Sequence, residues 1–317
     1  MNFQIKYFIF LPLFSIFFFQ SHSQSKRTND KELLKGFKPV EIADLEIPKL
    51  GQSDIVIERQ GYSLLYNETH EQASWVAYNL TDEETIRKFQ RTDRFIIDPL
   101  INTGSANDAD YKGSGYDRGH LAPAGDMGWS AETMQESFYY SNISPQAAAF
   151  NRGIWKNLEE QVRTWANEYK SVFVVTGPIL KPNLPVIGYN EVSVPKYYFK
   201  VILDYRLPEI KGIGFIMPNE GLKEQLNKYV VSIDSVETVT GIDFFPLLPD
   251  NQENVIERNL CFECWTWQVS KQQNYNQSQT ATSQSVQCSG MTKAGIRCKN
   301  KTLNPSGYCY IHENQQK

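Results

Sequence analysis

All five cysteines of this chain lie beyond residue 260, at Cys261, Cys264, Cys288, Cys298 and Cys309. Residues 24–260 therefore have no disulfide framework, and a buried core must hold that long stretch together. The composition permits one, since 41% of the residues are hydrophobic and 13% aromatic. The first 23 residues stand apart. Lys6 precedes the apolar run YFIFLPLFSIFFF (7–19), and Ser21 and Ser23 precede a cut expected at Gln24. This is the pattern of a signal peptide over residues 1–23, which predicts a secreted or periplasmic protein. The run is shorter than the ~20 apolar residues of a membrane helix. That length disfavours a retained anchor, and no stable membrane association is expected.

Charge divides the rest. Residues 24–270 carry 25 Lys and Arg against 35 Asp and Glu, a balance of −10, whereas residues 288–317 carry five basic groups against Glu313 alone. An acidic domain repels a polyanion, so it binds nucleic acid only through a local basic cleft and with help from a cation.

Residues 24–50 are polar and charged, with Pro39 and Pro48, and read as a leader segment. Strands are predicted at YSLLYN (62–67) and SWVAYNL (74–80) around a turn, and TDEETIRKFQ (81–90) reads as a helical turn or loop. Residues 102–115 read as a Gly/Ser/Asn/Asp loop, followed by a strand at YDRGHLAP that Pro123 stops. Helices are predicted over 131–141 and, from the recurrence of Ile154, Trp155, Leu158, Val162, Trp165 and Tyr169, over 154–169. Strands follow at 171–179, 196–205 and 210–217, then short helices near 221–228 and 232–240, with FFPLLP (244–249) closing the domain. Strands and helices mix without a βαβ rhythm, which predicts an α+β fold. A single domain is expected over 51–269, a disordered polar linker over 270–287 and a small unit over 288–317.

After the signal segment the histidines are His70, His120 and His312. His70 falls in a predicted turn and is expected to be solvated. His120 sits in YDRGHLAPAGDM (116–127). Alternate residues of a strand share a face, so Arg118 and His120 are expected to point together, and Asp117 and Gly119 the other way. An imidazole that takes a proton near neutral pH, beside a guanidinium that steadies phosphate charge, suits phosphodiester hydrolysis. Gly119 leaves room for a neighbouring backbone or ligand. The competing expectation is a packed, hydrogen-bonded histidine.

The second cluster is SNISPQAAAFNRGIWKNLEEQ (141–161). Taken with DYKGSGYDRGHLAPAGDM (110–127), VVTGPI (174–179) and FFPLLPD (244–250), it resembles the DNA/RNA non-specific endonucleases, the family that includes endonuclease G. The resemblance covers roughly residues 55–255. It implies a ββα-metal site on an antiparallel-sheet core, cleaving DNA and RNA to leave 5′-phosphate ends. It further implies His120 as general base, Asn151 as the direct protein ligand of Mg²⁺ (or Mn²⁺), Glu159 in the outer shell, and Asn142 and Arg118 in orienting and stabilising roles. A phosphate-contacting arginine is implied upstream of the DRGH strand, with Arg91 the choice over Arg94. Mg²⁺ prefers oxygen ligands and keeps several waters, which an asparagine carbonyl suits. From the residues alone, Asn151 could instead cap the following helix. Glu159 lies eight residues on, about 12 Å along an ideal helix axis, and periodicity alone makes it a solvated residue. The two share a site only if Asn151 leaves the regular helix or if Glu159 acts through water. A homodimer is compatible with the sequence.

In the tail, Cys288, Cys298, Cys309 and His312 offer four soft ligands within thirty residues. So short a unit hardly buries a core, and Cys₃His suits tetrahedral Zn²⁺. The segment also resembles small Cys₃His tail modules. The rival is oxidation, with Cys261 and Cys264 pairing with each other or lending a partner to the tail. Lys293, Arg297, Lys299 and Lys301 would let the tail hold nucleic acid non-specifically, or simply form a solvated face. Two functions are thus in play: a metal-dependent endonuclease, or a nuclease-like module that binds nucleic acid without cutting it.

Overall fold

The structure is a computed structural model that describes residues 37–267 and, in the tail, 286–292, 295–302, 306–308, 312 and 315. The signal segment 1–23, residues 24–36 of the leader, most of the linker and Cys309 lie outside the described residues. The chain divides into two units, Met1–Thr266 and Trp267–Lys317. No helix among the described residues is long and apolar enough to cross a membrane.

The strands of the first unit are β1 (Val56–Glu58), β2 (Ser63–Asn67), β3 (Gln72–Thr81), β4 (Tyr116–His120), β5 (Ile143–Ala147), β6 (Ser171–Pro178), β7 (Val186–Ile187), β8 (Val192–Ser193), β9 (Tyr197–Asp204), β10 (Lys211–Pro218) and β11 (Val230–Val231). Its main helices are α1 (Asp108–Tyr111), α2 (Ala131–Glu136), α3 (Lys156–Tyr169), α4 (Ile233–Thr240) and α5 (Asp250–Arg258). Seven strands form one sheet in the order β1-β2-β3-β6-β9-β10-β11, with every neighbouring pair antiparallel. The expected α+β class, with an antiparallel core, is what the chain adopts.

Both faces of this sheet are covered, so its central strands are apolar on both sides rather than alternating with polar residues. Trp75, Ala77, Val175, Phe199, Val201 and Leu203 pack on one face with Ile233 and Val236 of α4 and Ile256 of α5. The alternate residues Val76, Tyr78, Val174, Tyr198 and Ile202 are buried on the other face, where α3 contributes Leu158, Val162 and Trp165. The β4–β5 ladder is a separate two-stranded sheet, pairing Arg118 with Pro145, Gly119 with Ser144 and His120 with Ile143. Ser144 anchors it to the main sheet, its hydroxyl lying 2.6 Å from Gln72 Oε1 and 2.6 Å from the Tyr198 hydroxyl.

Several local expectations are corrected. The leader is part of the domain from residue 37 onward: Leu45 is fully buried in the core, and Phe37, Ile42 and Ile47 pack against it. The loop at 102–115 contains α1, started by a reciprocal cap in which Asn107 and Asp110 each bond the other's backbone. Residues 131–141 divide into α2 and a 3-10 turn at Tyr140–Asn142. The helix near 221–228 is a 3-10 turn at Leu226–Tyr229. FFPLLP does not close the domain, because α5 follows and Trp265 packs at 4.5 Å on the ring of Trp165. Cys261 and Cys264 are disulfide-bonded to each other. His70 is not simply solvated; its Nδ1 lies 2.8 Å from the Ser193 hydroxyl and ties the β2–β3 turn to β8.

Leu45→Ala tests whether the leader belongs to the core. Urea denaturation is expected to show a loss of about 2–5 kcal/mol, the usual cost of emptying a buried leucine site. A loss under about 0.5 kcal/mol, typical of a surface position, would contradict that placement.

Candidate active site

β4 and the segment leading into α3 form two walls of one cavity of about 1110 Å³. His120, Arg118, Asn151, Glu159 and Arg91 all line it, so five of the six residues expected at the nuclease centre come together. Its lining carries seven cationic side chains (Arg87, Arg91, Lys112, Arg118, Arg152, Lys156 and Arg163) against four acidic ones (Asp93, Asp108, Asp117 and Glu159). This is the local basic cleft that an acidic domain needs to receive a polyanion. Arg94, the second choice for the upstream arginine, is not part of the lining.

Strand alternation sets the first wall. Arg118 and His120 both reach Phe95: the guanidinium lies 4.2 Å over that ring, and the imidazole centroid is 5.6 Å from it. Phe138 closes the other side of His120, edge-on at 4.8 Å. This aromatic cage leaves His120 buried, and its Nε2 has no hydrogen-bond partner. Burial, then the positive charges of Arg91 and Arg118, pull its pKa down from 6.5 to about 3. The imidazole is therefore neutral at physiological pH. The expectation of a packed, hydrogen-bonded histidine is half met, since it is packed but its Nε2 is unpartnered. Gly119 makes room for a side chain, not for a backbone or ligand: a Cβ there would stand 2.2 Å from the amide of Gln146.

The second wall is a break in a helix. After a helical turn at Ala148–Phe150, residues Asn151–Trp155 form one wide π-turn before α3 begins. Gly153 leaves helical geometry within it (φ −106°, ψ −113°). Such turns re-aim side chains that a regular helix would send elsewhere. Asn151 does not cap the helix; its Nδ2 donates to Asp117 Oδ2 at 3.0 Å. Its Oδ1 accepts no hydrogen bond among the described residues. The kink is also how Asn151 and Glu159 reach one cavity despite their separation in sequence.

Asp117, expected to point opposite to Arg118 and His120, organises the second wall of the site. It accepts two bonds from Arg152, at 2.8 and 2.6 Å, besides that of Asn151. Burial pushes its carboxyl up, but the bonds from Arg152 and Asn151 outweigh this and hold it below the usual range. Asn142 is the expected residue that the cavity does not contain. Fully buried, it accepts from Ala122 N at 2.8 Å and donates to the carbonyls of Ala122 at 2.9 Å and Ser137 at 2.8 Å. It thereby clamps the chain that follows His120, a structural role.

Behind Glu159 lies a set of buried charges that no sequence motif singled out. Asp126 accepts from Arg163 Nη1 at 2.6 Å and from the Tyr78 hydroxyl at 2.9 Å. Lys200, fully buried on β9, holds its Nζ 4.9 Å from the Trp155 ring and makes no hydrogen bond. Burial raises the pKa of Glu159 and lowers that of Lys200, and their mutual attraction opposes both shifts. Their sequence signal was faint: Asp126 lies inside the DRGH segment, but Lys200 looks like any polar residue in a strand.

A neutral imidazole and an unengaged amide oxygen facing one cationic cleft, on this antiparallel α+β scaffold, define a nuclease of the ββα-metal class. The sequence profile of the DNA/RNA non-specific endonucleases matches residues 43–251, and the chain belongs to that family. It is 35% identical to human mitochondrial endonuclease G over 221 residues, 65% of this chain and 73% of that protein. It is 36% identical to nuclease C1 of Cunninghamella echinulata over 210 residues, 61% of this chain and 83% of that one. Among solved structures, a crystal structure of an EndoG/EndoGI complex superposes with a TM-score of 0.62 at 31% identity, covering 67% of this chain and 92% of that one.

The histidine's low pKa has a consequence for acid stability. The unfolded chain protonates this imidazole near pH 6.5, whereas the folded chain does so only near pH 3. Between those values the unfolded state binds the extra proton, so this group makes stability fall as the pH drops. His120→Asn is expected to lose less stability than the wild type between pH 7 and pH 4.5, compared by urea midpoints. Equal losses would contradict the buried neutral imidazole.

Proposed function

We propose that this protein is an exported endonuclease that hydrolyses phosphodiester bonds of DNA and RNA, with His120 as general base and Asn151 as the protein ligand of a Mg²⁺ or Mn²⁺ ion. The observation that carries this reading is that His120, neutral and with an unpartnered Nε2, lines the same cleft as Asn151, whose Oδ1 is unengaged. Export rests on the signal pattern of residues 1–23.

Asn151 fits a hard cation. Its amide is held through nitrogen by Asp117, which leaves the oxygen as the donor such ions prefer. Asp117 is itself occupied by Arg152 and Asn151. When bound, the ion supplies Lewis-acid stabilisation of phosphate charge and of the departing oxygen. The His120 imidazole takes the proton of the attacking water. The water oxygen bonds to phosphorus as the bond to the 3′ oxygen breaks, and the departing oxygen takes a proton from a second water, giving a 5′-phosphate and a 3′-hydroxyl. Arg118 and Arg91 offer guanidinium donors to the phosphate oxygens. Glu159, its pKa raised by burial, orients water in the cleft. A cleft that grips phosphates by charge reads no sequence and tolerates either sugar, because phosphates carry no base information.

The test is digestion of plasmid DNA and of structured RNA with Mg²⁺, with EDTA, and by the His120→Ala and Asn151→Ala variants. Both polymers should be cut only with the metal. Each variant should lose at least about 100-fold in rate, the low end for removing a general base or an essential charge-stabilising group, with its circular dichroism unchanged. Undiminished cutting by His120→Ala would remove the proposed base. No cutting by the wild type in any divalent metal would favour a module that only binds nucleic acid.

A further inference from the structure

The second unit carries a group of soft ligands that the nuclease chemistry does not use. Cys288, Cys298 and His312 are all buried, and one ligand atom from each lies within 4.8 Å of the other two. Cys288 Sγ is 3.6 Å from His312 Nδ1. Two ligands on one tetrahedral zinc, with Zn–S of about 2.3 Å and Zn–N of about 2.0–2.1 Å, stand about 3.6 Å apart. A thiol–imidazole hydrogen bond explains one such pair, but a metal explains why three soft atoms converge.

The surrounding backbone is built for this convergence. The Gly290 N–H donates to Cys288 Sγ at 3.3 Å, the kind of outer bond that orients a metal ligand. The Gly290 carbonyl accepts from Cys298 N at 2.8 Å, so this one residue bonds the Cys288 thiol and the Cys298 backbone. A Cβ at position 290 would stand 2.4 Å from Cβ and Cγ of His312, so only glycine lets the imidazole settle over Cys288. β12 (Val286–Gln287) and β13 (Lys301–Thr302) form the unit's two-stranded ladder. Among the described residues so little secondary structure buries almost no core, and small units of this kind need a metal or crosslink to fold.

We propose that Cys288, Cys298 and His312 bind a zinc ion that folds the tail. Thiolate with imidazole selects zinc over the hard ions that suit the amide oxygen in the cleft. The two sites therefore take different metals, and this one stands whether or not the nuclease mechanism does.

The test is elemental analysis of the full chain purified without chelator, together with thiol alkylation of the native chain without reductant. One equivalent of zinc is expected, with Cys288 and Cys298 alkylated only once a strong chelator is added. Cys288→Ser and His312→Ala should abolish zinc retention. Gly290→Ala, which leaves all three ligands in place, should weaken it by about tenfold or more in competition with a chromophoric chelator, as loss of outer support does elsewhere. Absence of zinc from the wild type, retention undiminished in His312→Ala, or a Cys288–Cys298 disulfide in the peptide mass map would each overturn the proposal.

Discussion

The active site depends on one carboxylate gripping two neighbours. Asp117, on the same strand as His120, holds both Asn151 and Arg152 at the start of the broken helix. It thus couples the strand that carries the imidazole to the turn that carries the amide oxygen. The grip also decides which end of the Asn151 amide is left for the cleft. A carboxylate only accepts hydrogen bonds, so it must take the NH₂ group and leave the oxygen outward. The two arginine bonds keep Asp117 ionised, which keeps that orientation fixed.

Charge is arranged at two scales. The domain as a whole is acidic, yet its cleft gathers seven cations around a buried imidazole. At an effective dielectric near 20, two unit charges 4 Å apart interact by about 4 kcal/mol, enough for nearby arginines to matter to a buried imidazole. Burial and Arg91 keep His120 neutral. Lys200 works in the opposite sense on Glu159, restraining the rise that burial causes. The base is thus uncharged among arginines, which lets guanidinium groups and a proton acceptor occupy one cleft.

Much of this was legible in the sequence because it is local. The paired strands at 196–205 and 210–217, the strand at 171–179 and the body of α3 follow from hydrophobic period and length, and residue identity along the DRGH and NRGIW segments pointed to His120 and Asn151. Long-range pairing was not legible. Alternation sets Asp117 apart from Arg118 and His120 but says nothing of the helix turn that packs beside the strand, so its grip on Asn151 and Arg152 has no sequence signal. Leu45 looked like leader because Ile42, Leu45 and Ile47 among charges and prolines are too few to show a period. Asn142, expected to orient and stabilise, lies outside the cavity, where three buried hydrogen bonds hold the backbone that follows His120. Lys200 carries no local signal at all; only the strand register of β9, which turns it toward α3, brings it to Glu159.

The most direct measurement is Mn²⁺ binding by the full chain and by Asp117→Ala, followed by the electron paramagnetic resonance of free Mn²⁺. If Asp117 sets the amide oxygen of Asn151 toward the ion, affinity should fall about 10–100-fold, as when an outer-shell partner is lost, with the fold intact by circular dichroism. Equal affinity in the two proteins would contradict the account, because the oxygen would then reach the metal without the carboxylate that orients it.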